Sequence, residues 1–387
     1  MRRGARPPRH AARLLALVIG AGLLAGTAGC AASAAEHAPA APPATAATAL
    51  PGLDELVPVE DPRAWEGPST ALLDDVAVEP VAADPRVTLP VTVTSHDQAG
   101  DVEVTIDDTS RLLAIDRAGS LAATVWGLGL GDLLIGRDAA TTFPGTEDLP
   151  VVTGSGHTVD VERIVALAPT AVLTDGSIGP RDVVEQLRDV GIPVVFLDNE
   201  PSFDGAAQLA RDVAAALGAP ESGELLAARI TDDVAAVTSQ IAGITPADPA
   251  DRVRMLFLYV RGSAGVYYLF GEESGADALI TALGGVDVAG ELGWEGMRPM
   301  TDEAMVAADP DLILVMTHGI ESAGGVDGLI EEKTALAVTA AGQHRRFVDM
   351  DDAQILSFGP HSAGVLTALA RAVYAPDLTL RAEEPAS

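Results

Sequence analysis

Three blocks occur twice in this sequence, in the same order and about 140 residues apart. The first is an apolar helical stretch that closes on glycine. Leu121–Leu130 runs into Gly129, Gly131 and Asp132, and Ala276–Leu283 runs into Gly284, Gly285 and Asp287. The second is a helix followed by a strand. Glu162 to Pro169 precedes Ala171–Asp175, and Glu303 to Pro310 precedes Leu312–Met316, with Glu and Pro seven positions apart in both copies. Each Pro stands just past a helix end, where its ring no longer clashes with the preceding turn. The third is a helix, a glycine and a strand ending on an acid, Val183–Asp198 against Ala335–Asp349. Helices alternating with strands imply parallel sheets covered by helices. A repeat of this length implies two similar lobes, not a solenoid. The expected class is α/β, with two lobes of mainly parallel sheet.

Between the copies, Phe203–Leu217 and Glu221–Ile241 have helical periodicity, interrupted at Gly218 and Pro220. The second helix is expected to carry Leu225, Leu226, Ile230, Val234 and Val237 on one side. It reads as a long, rigid connector that joins the lobes and limits hinge closure. Two lobes on a stiff link make one cleft, walled by the loops at the carboxyl ends of the strands, where open α/β sheets place ligands. Ahead of the first copy, Val91–Thr94, Val102–Ile106 and Leu112–Ile115 read as strands of a βαβ-type start. The boundaries that follow are 89–218 for an N-terminal lobe, 219–245 for the connector and 246–378 for a C-terminal lobe.

The first residues carry an address. Arg2, Arg3, Arg6, Arg9 and Arg13 precede an apolar run from Leu14 to Ala28 that ends at Gly29 and Cys30. A basic start, a short apolar stretch and small residues describe an export signal over 1–30, with a run too short to span a bilayer comfortably. Cys30 is the only cysteine, so no internal disulfide forms, and a lone exposed thiol outside the cell is a liability. Lipidation of Cys30 is the economical reading. Thr27-Ala28-Gly29-Cys30 resembles a bacterial lipoprotein box, apart from Thr27, where an apolar residue is usual. Residues 31–88 are rich in Ala and Pro and read as an unstructured tether. The expected location is the extracytoplasmic face of the cell membrane, anchored by lipid at Cys30. A net charge of −32 and a single lysine, Lys333, leave no basic groove, which excludes nucleic acid as a partner.

Two apolar runs, Met255–Val260 and Val266–Phe270, flank a turn of small residues from Gly262 to Gly265. In the first run Tyr259 and Arg261 are two apart, which puts both side chains on one face of a strand. Packing of a phenol beside a surface Arg is the plain reading. The alternative is an anionic ligand, with Arg261 lowering the cost of deprotonating the phenol. His157 lies in the glycine-rich Thr153–Thr158 loop, just ahead of the first Glu-to-Pro helix. Its plain reading is a solvent-exposed loop residue. The helix dipole there disfavours a cationic ring, so a neutral imidazole able to hold a metal is the functional reading. One His and one Tyr from opposite lobes are too few for a structural zinc site. They suit a metal that brings its own equatorial donors, such as haem iron, and a hard phenolate favours the ferric state.

The chain resembles the substrate-binding lipoproteins of bacterial haem ABC importers, particularly the HmuT type of actinobacteria. The resemblance covers roughly residues 105–375. It is carried by Leu113–Gly119, Val125–Asp132, Gly136–Asp138, Gly156–Thr158, the Glu162–Pro169 block, Tyr259–Gly262 and Tyr267–Gly271. It implies the two-lobed periplasmic-binding-protein fold, ferric haem b as the transported ligand, and an ABC permease as partner. By the same resemblance His157 and Tyr259 are axial ligands of the iron, and Arg261 hydrogen-bonds Tyr259. Glu162 and Glu273 match the surface acids through which family members dock on their permease. Each is equally an ordinary acid favoured by a helix dipole. Met316, Trp294 and Met297 are candidates for contact with the porphyrin, or simple packing residues. His318 is the rival iron ligand, and of Tyr267 and Tyr268 at most one faces the cleft, because neighbours on a strand point opposite ways.

The expected protein is therefore a monomeric, non-enzymatic receptor that captures haem and passes it to the permease. A siderophore or cobalamin receptor of the same fold is the alternative. An extracytoplasmic metal-dependent enzyme is the third, but the sequence contains no G-x-S-x-G, H-E-x-x-H or P-loop pattern.

Overall fold

A computed structural model describes residues 50–154 and 158–379. The export signal, Cys30, residues 31–49 and His157 lie outside the described residues.

Residues 50–88 do not behave as a tether. Leu53, Leu56 and Ala71 are buried in the core of the C-terminal lobe, and Val78 is buried in that of the N-terminal lobe. Between them β1 (Ser69–Thr70) pairs in parallel with a strand over Val348 and Asp349. The Ala/Pro composition hides an apolar residue every few positions, and the body offers grooves and a free sheet edge to receive them. The segment is a strap that crosses from one lobe to the other. Arg346 anchors it from beneath, donating to Gly67 O at 3.4 Å and Ser69 Oγ at 2.8 Å.

The N-terminal lobe opens with β2 (Val91–Asp97) and β3 (Gly100–Ile106), an antiparallel hairpin paired from Val91–Ile106 to Asp97–Gly100. This replaces the expected βαβ start. Only Gln98 and Ala99 separate the two strands, enough for a hairpin and far too few for a parallel crossover. There follow β4 (Leu112–Ile115), α1 (Ser120–Gly127), a short ribbon of β5 (Thr153–Gly154) and β6 (Thr158–Val159), α2 (Val161–Leu167), β7 (Ala171–Thr174), α3 (Arg181–Glu185) and β8 (Val194–Phe196). The strands β4, β7 and β8 form a parallel sheet in that order.

Two helices, α4 (Phe203–Ala216) and α5 (Pro220–Ile244), lead to the second lobe. There the chain runs through β9 (Arg254–Arg261), β10 (Val266–Phe270), α6 (Ala276–Ala282), β11 (Val286–Asp287), α7 (Val288–Glu291), β12 (Met297–Pro299), α8 (Asp302–Ala308) and β13 (Leu312–Met316). It finishes with α9 (Thr317–Ser322), α10 (Gly325–Glu332), α11 (Ala340–Gln343), β14 (Phe347–Met350) and α12 (Ser362–Tyr374). The sheet order is β1-β14-β13-β9-β10-β12, with β11 also pairing β9. Strands β9, β13, β14 and β1 are parallel; at one side β10 runs antiparallel to β9, and β12 antiparallel to β10.

The duplication is visible in the backbone itself. The order β9-β13-β14 repeats β4-β7-β8. Helices α2 and α8 both end on a non-glycine residue in the left-handed region, Ala168 at φ 46° and Asp309 at φ 38°, each directly before the repeated Pro. That conformation costs an L-residue roughly 1–2 kcal/mol, so its recurrence at one place marks a repeated chain path. Gly129 and Gly284, at φ 85° and 72°, close the helices α1 and α6 without that cost.

Helix α5 serves both cores. Leu226, Ala227 and Ile230 pack with Leu112 and Leu173 of the first lobe, and Val234 and Ile241 with Phe257 and Leu314 of the second. Leu225, expected on this stripe, is 57% exposed. It lies about 100° round the helix from Leu226, outside the run at 226, 230, 234 and 241.

Candidate functional site in the cleft

The carboxyl ends of the two parallel sheets face each other. Ser120, at the start of α1 after β4, has its Oγ 3.5 Å from that of Ser357, in the segment that follows β14. The same segment passes from one core to the other: Ile355 is buried in the C-terminal core, Leu356 packs against both, and Phe358 is buried in the N-terminal core.

On the C-terminal side, β9 sorts its residues by alternation. Leu256, Leu258 and Val260 join one core, while Met255, Phe257 and the half-buried Tyr259 join the core that includes α12. Tyr259 stacks on Phe270 at 6.1 Å between centroids and 15° between planes, and Phe270 stacks in turn on Phe257 at 5.0 Å. Such contacts are worth about 0.5–1.5 kcal/mol each beyond burial and fix the phenol's direction. The guanidinium carbon of Arg261 lies 6.0 Å from the Tyr259 ring centroid. Tyr268 of β10 is directly opposite Tyr259. On the other flank Leu314 is in register with Phe257, so Met316, two residues further along β13, is on the same face as Tyr259, and Met316 is in register with Met350. A row of Tyr268, Tyr259, Met316 and Met350 thus crosses the sheet at its carboxyl edge, on one face.

Strand alternation also separates the two candidate tyrosines. Tyr267 is buried on the opposite face, with Lys333 Nζ 4.0 Å from its ring centroid, and burial pushes its hydroxyl up to about 12. Trp294 is on that far side too. At 8% exposure it packs with Leu256, Leu258 and Val288 under the Arg298 guanidinium, which removes it as a wall of the cleft on Tyr259's face. Its large ring fills the core that the intervening sheet separates from Tyr259. Met297 of β12 is 61% exposed and in register with Phe270, hence on Tyr259's face of the sheet. His318, in the first turn of α9, is exposed, with Nδ1 3.4 Å from Asp352.

On the N-terminal side, the ribbon β5–β6 flanks position 157. Val159 N donates to Gly179 O at 3.1 Å, in the loop that follows β7, and Ala139 N donates to Thr153 Oγ1 at 3.0 Å. The ribbon therefore stands at the carboxyl end of the first sheet, and its strand β6 lies in sequence between position 157 and the start of α2. Beneath this wall two acids that the sequence did not single out shape the loops. Asp116 accepts from the backbone N–H groups of Ser120 and Leu121, and Asp138 accepts from Asp116 N at 3.0 Å. Burial, with Asp138 and Asp175 nearby, holds the Asp116 carboxyl well above the usual range. Among the described residues no group of three His, Cys, Asp or Glu is placed to hold a bare metal ion.

Glu162 and Glu303 occupy the second position of α2 and α8, the duplicated helices, and both are exposed. Their caps match as well, Asp160 and Thr301 each accepting from the backbone three residues on. Glu273 stands elsewhere, on the loop before α6 at φ 65°. Glu303 is thus the counterpart of Glu162, a signal already present in the repeated Glu-to-Pro spacing.

The model of a family described as periplasmic binding protein matches residues 118–353. The chain belongs to the periplasmic binding protein family. As a member it is a substrate-binding protein and not an enzyme. The crystal structure of the haem-binding protein HmuT is 38% identical, covers 81% of this chain and 99% of its own, and superposes with a TM-score of 0.74. Solved structures of HmuT include variants that lose a tyrosine, the arginine two positions after it, or a histidine. An uncharacterized ABC transporter substrate-binding lipoprotein of Bacillus subtilis, YvrC, is 26% identical over 74% of this chain and 86% of its own length. A cobalamin-binding protein of Halobacterium salinarum is 26% identical over 64% of each chain. This binding protein is of the HmuT type.

Proposed function

We propose that this protein captures ferric haem b between its lobes and delivers it to an ABC permease. The observation that carries the reading is Tyr259 with Arg261 at the carboxyl end of β9, in a chain 38% identical to HmuT over the 81% of its length that the two share. The tyrosine and arginine replaced in HmuT variants have the same spacing as Tyr259 and Arg261. In this reading Tyr259 supplies a phenolate to the iron, Arg261 offsets its charge, and His157 supplies the imidazole from the other lobe. Met316, beside Tyr259 on the same face, and Met297 contact the porphyrin. A hard oxygen donor favours iron(III), and a neutral imidazole completes an axial pair while the macrocycle fills the equatorial positions. The cargo brings four of its own donors, so the protein needs to offer only two.

The proposal extends to the whole chain. Cys30 carries the lipid that holds the protein at the outer face of the cell membrane, and the receptor works as a monomer. Its lobes are 89–218 and 246–378, joined by α5, with residues 50–88 strapped across both. Glu162 and either Glu273 or Glu303 meet the permease.

Hemin titration of the purified protein tests the reading. A Soret band that saturates, and that changes in both Tyr259→Ala and His157→Ala with greater loss of ferric hemin in the former, is the expected result. Identical spectra in the wild type and both variants remove the ligand assignment. Saturable binding of cobalamin with no response to hemin favours the alternative that the Halobacterium salinarum relative raises.

A further inference from the structure

Whatever rests on Tyr259 also covers the strands on either side of it. Neighbouring strands lie about 4.8 Å apart, and directly opposed residues of an antiparallel pair bring their Cβ atoms to about 5 Å. A tetrapyrrole is several strand spacings wide. The residue opposed to Tyr259 is Tyr268, a second phenol on the same face, half-buried. Neither hydroxyl has a hydrogen-bond partner among the described residues. Arg261 is in register with Val266, two residues before Tyr268, so its long side chain stands diagonal to Tyr268 while also lying against Tyr259.

We propose that Tyr268 is a second iron-facing phenol, a reserve donor that takes the iron when the Tyr259 oxygen is missing. This rests on the haem reading above. Nothing covalent fixes the cargo, so a slide of one strand spacing brings the iron from one phenol to the other. Ligation by Tyr268 follows the same chemistry as ligation by Tyr259: the phenol proton leaves to solvent, the oxygen lone pair binds iron(III), and no electron is transferred. Arg261 flanks both positions and offsets the charge of whichever phenolate forms. Two hard donors side by side also hold the wall's preference for ferric over ferrous iron through small movements of the disc.

The test compares hemin complexes of the wild type, Tyr259→Phe, the Tyr259→Phe/Tyr268→Phe double variant and Tyr267→Phe. The readouts are the phenolate-to-iron(III) charge-transfer band and the phenolate modes in resonance Raman spectra. Each substitution keeps the ring and its packing, and a melting curve checks that each variant folds. The expected result is a phenolate signature that weakens but persists in Tyr259→Phe and is lost in the double variant. Tyr267→Phe, on the opposite face, leaves the wild-type spectrum in place. A Tyr259→Phe complex with no phenolate signature, beside a wild type that has one, overturns the proposal and leaves the haem reading standing. A wild type that takes up no hemin takes both down together.

Discussion

The guanidinium carbon of Arg261 lies 6.0 Å from the centre of the Tyr259 ring, and both side chains project from one face of β9. A cation so placed favours the anionic form of a ligand oxygen, and protons compete with iron for that oxygen. Arg261→Ala is therefore expected to move the acid limb of hemin binding to higher pH, so that the variant loses hemin at a pH where the wild type still holds it. Hemin retention measured across a pH series checks this, and superimposable profiles would count against the role.

Arg346 is fully buried and carries its charge without a carboxylate among its hydrogen-bond partners. It donates to Ala372 O at 2.7 Å and Val373 O at 3.1 Å, carbonyls at the negative end of the α12 dipole, and to the strap at Ser69. Burial pushes the guanidinium down to about 10. Charge-assisted bonds are worth about 1.5–3 kcal/mol each. Arg346→Ala is expected to lower stability by about 3 kcal/mol or more in urea unfolding and to open residues 50–75 to protease. Arg346→Lys rescues little, because an ammonium cannot fork between β1 and α12.

His361 pins the strap where it passes onto the first lobe, with Nε2 3.2 Å from Ala77 O. Burial pushes its imidazole below the ordinary 6.5, against a smaller upward pull from the backbone of Ala77 and Val76 and from Asp75. The unfolded chain takes up a proton near 6.5 that the folded one resists. This contribution to stability is whole above that value and declines as pH falls beneath it. Urea midpoints at a series of pH values should fall more steeply below 6.5 in the wild type than in His361→Gln. Equal slopes would show that the ring is not what the fold resists charging.

Docking on a permease is expected to follow the duplication. Glu162→Ala and Glu303→Ala, at matching positions of α2 and α8, should each lower hemin uptake by cells while the purified variants still bind hemin. Glu273→Ala, on its separate loop, should lower uptake less. An uptake defect confined to Glu162 and Glu273 would move the second lobe's contact from α8 to the loop before α6.

Asp97 ties the opening hairpin to the first lobe. Arg188 Nη2 donates to its Oδ1 at 3.0 Å. Burial works against the carboxylate, but the Arg188 and Ser95 hydrogen bonds prevail and hold it below the usual range. Its contribution is present above the ordinary carboxylate value and is lost as pH falls through the lowered one. Asp97→Asn is expected to cost about 2 kcal/mol at neutral pH, read from the urea midpoint.

The class of fold, the two lobes, the connecting helix and the pair Tyr259 and Arg261 were legible in the sequence. Each is written in local periodicity or spacing: the seven-residue Glu-to-Pro interval, the two-residue step along a strand, the stripe on α5. What periodicity could not supply was the identity of each neighbour across space. The strap at 50–88 reads as tether by composition, and only the grooves and free edge of the finished body turn Leu53, Ser69 and Val78 into packed residues. Trp294 sits in a glycine-rich loop by sequence, and the face of the sheet it lies behind was decided by the path of β10 and β12. Tyr268 met Tyr259 for the same reason. Register between strands is set by the burial of whole faces against the core, a property of the assembled lobe that no single segment contains.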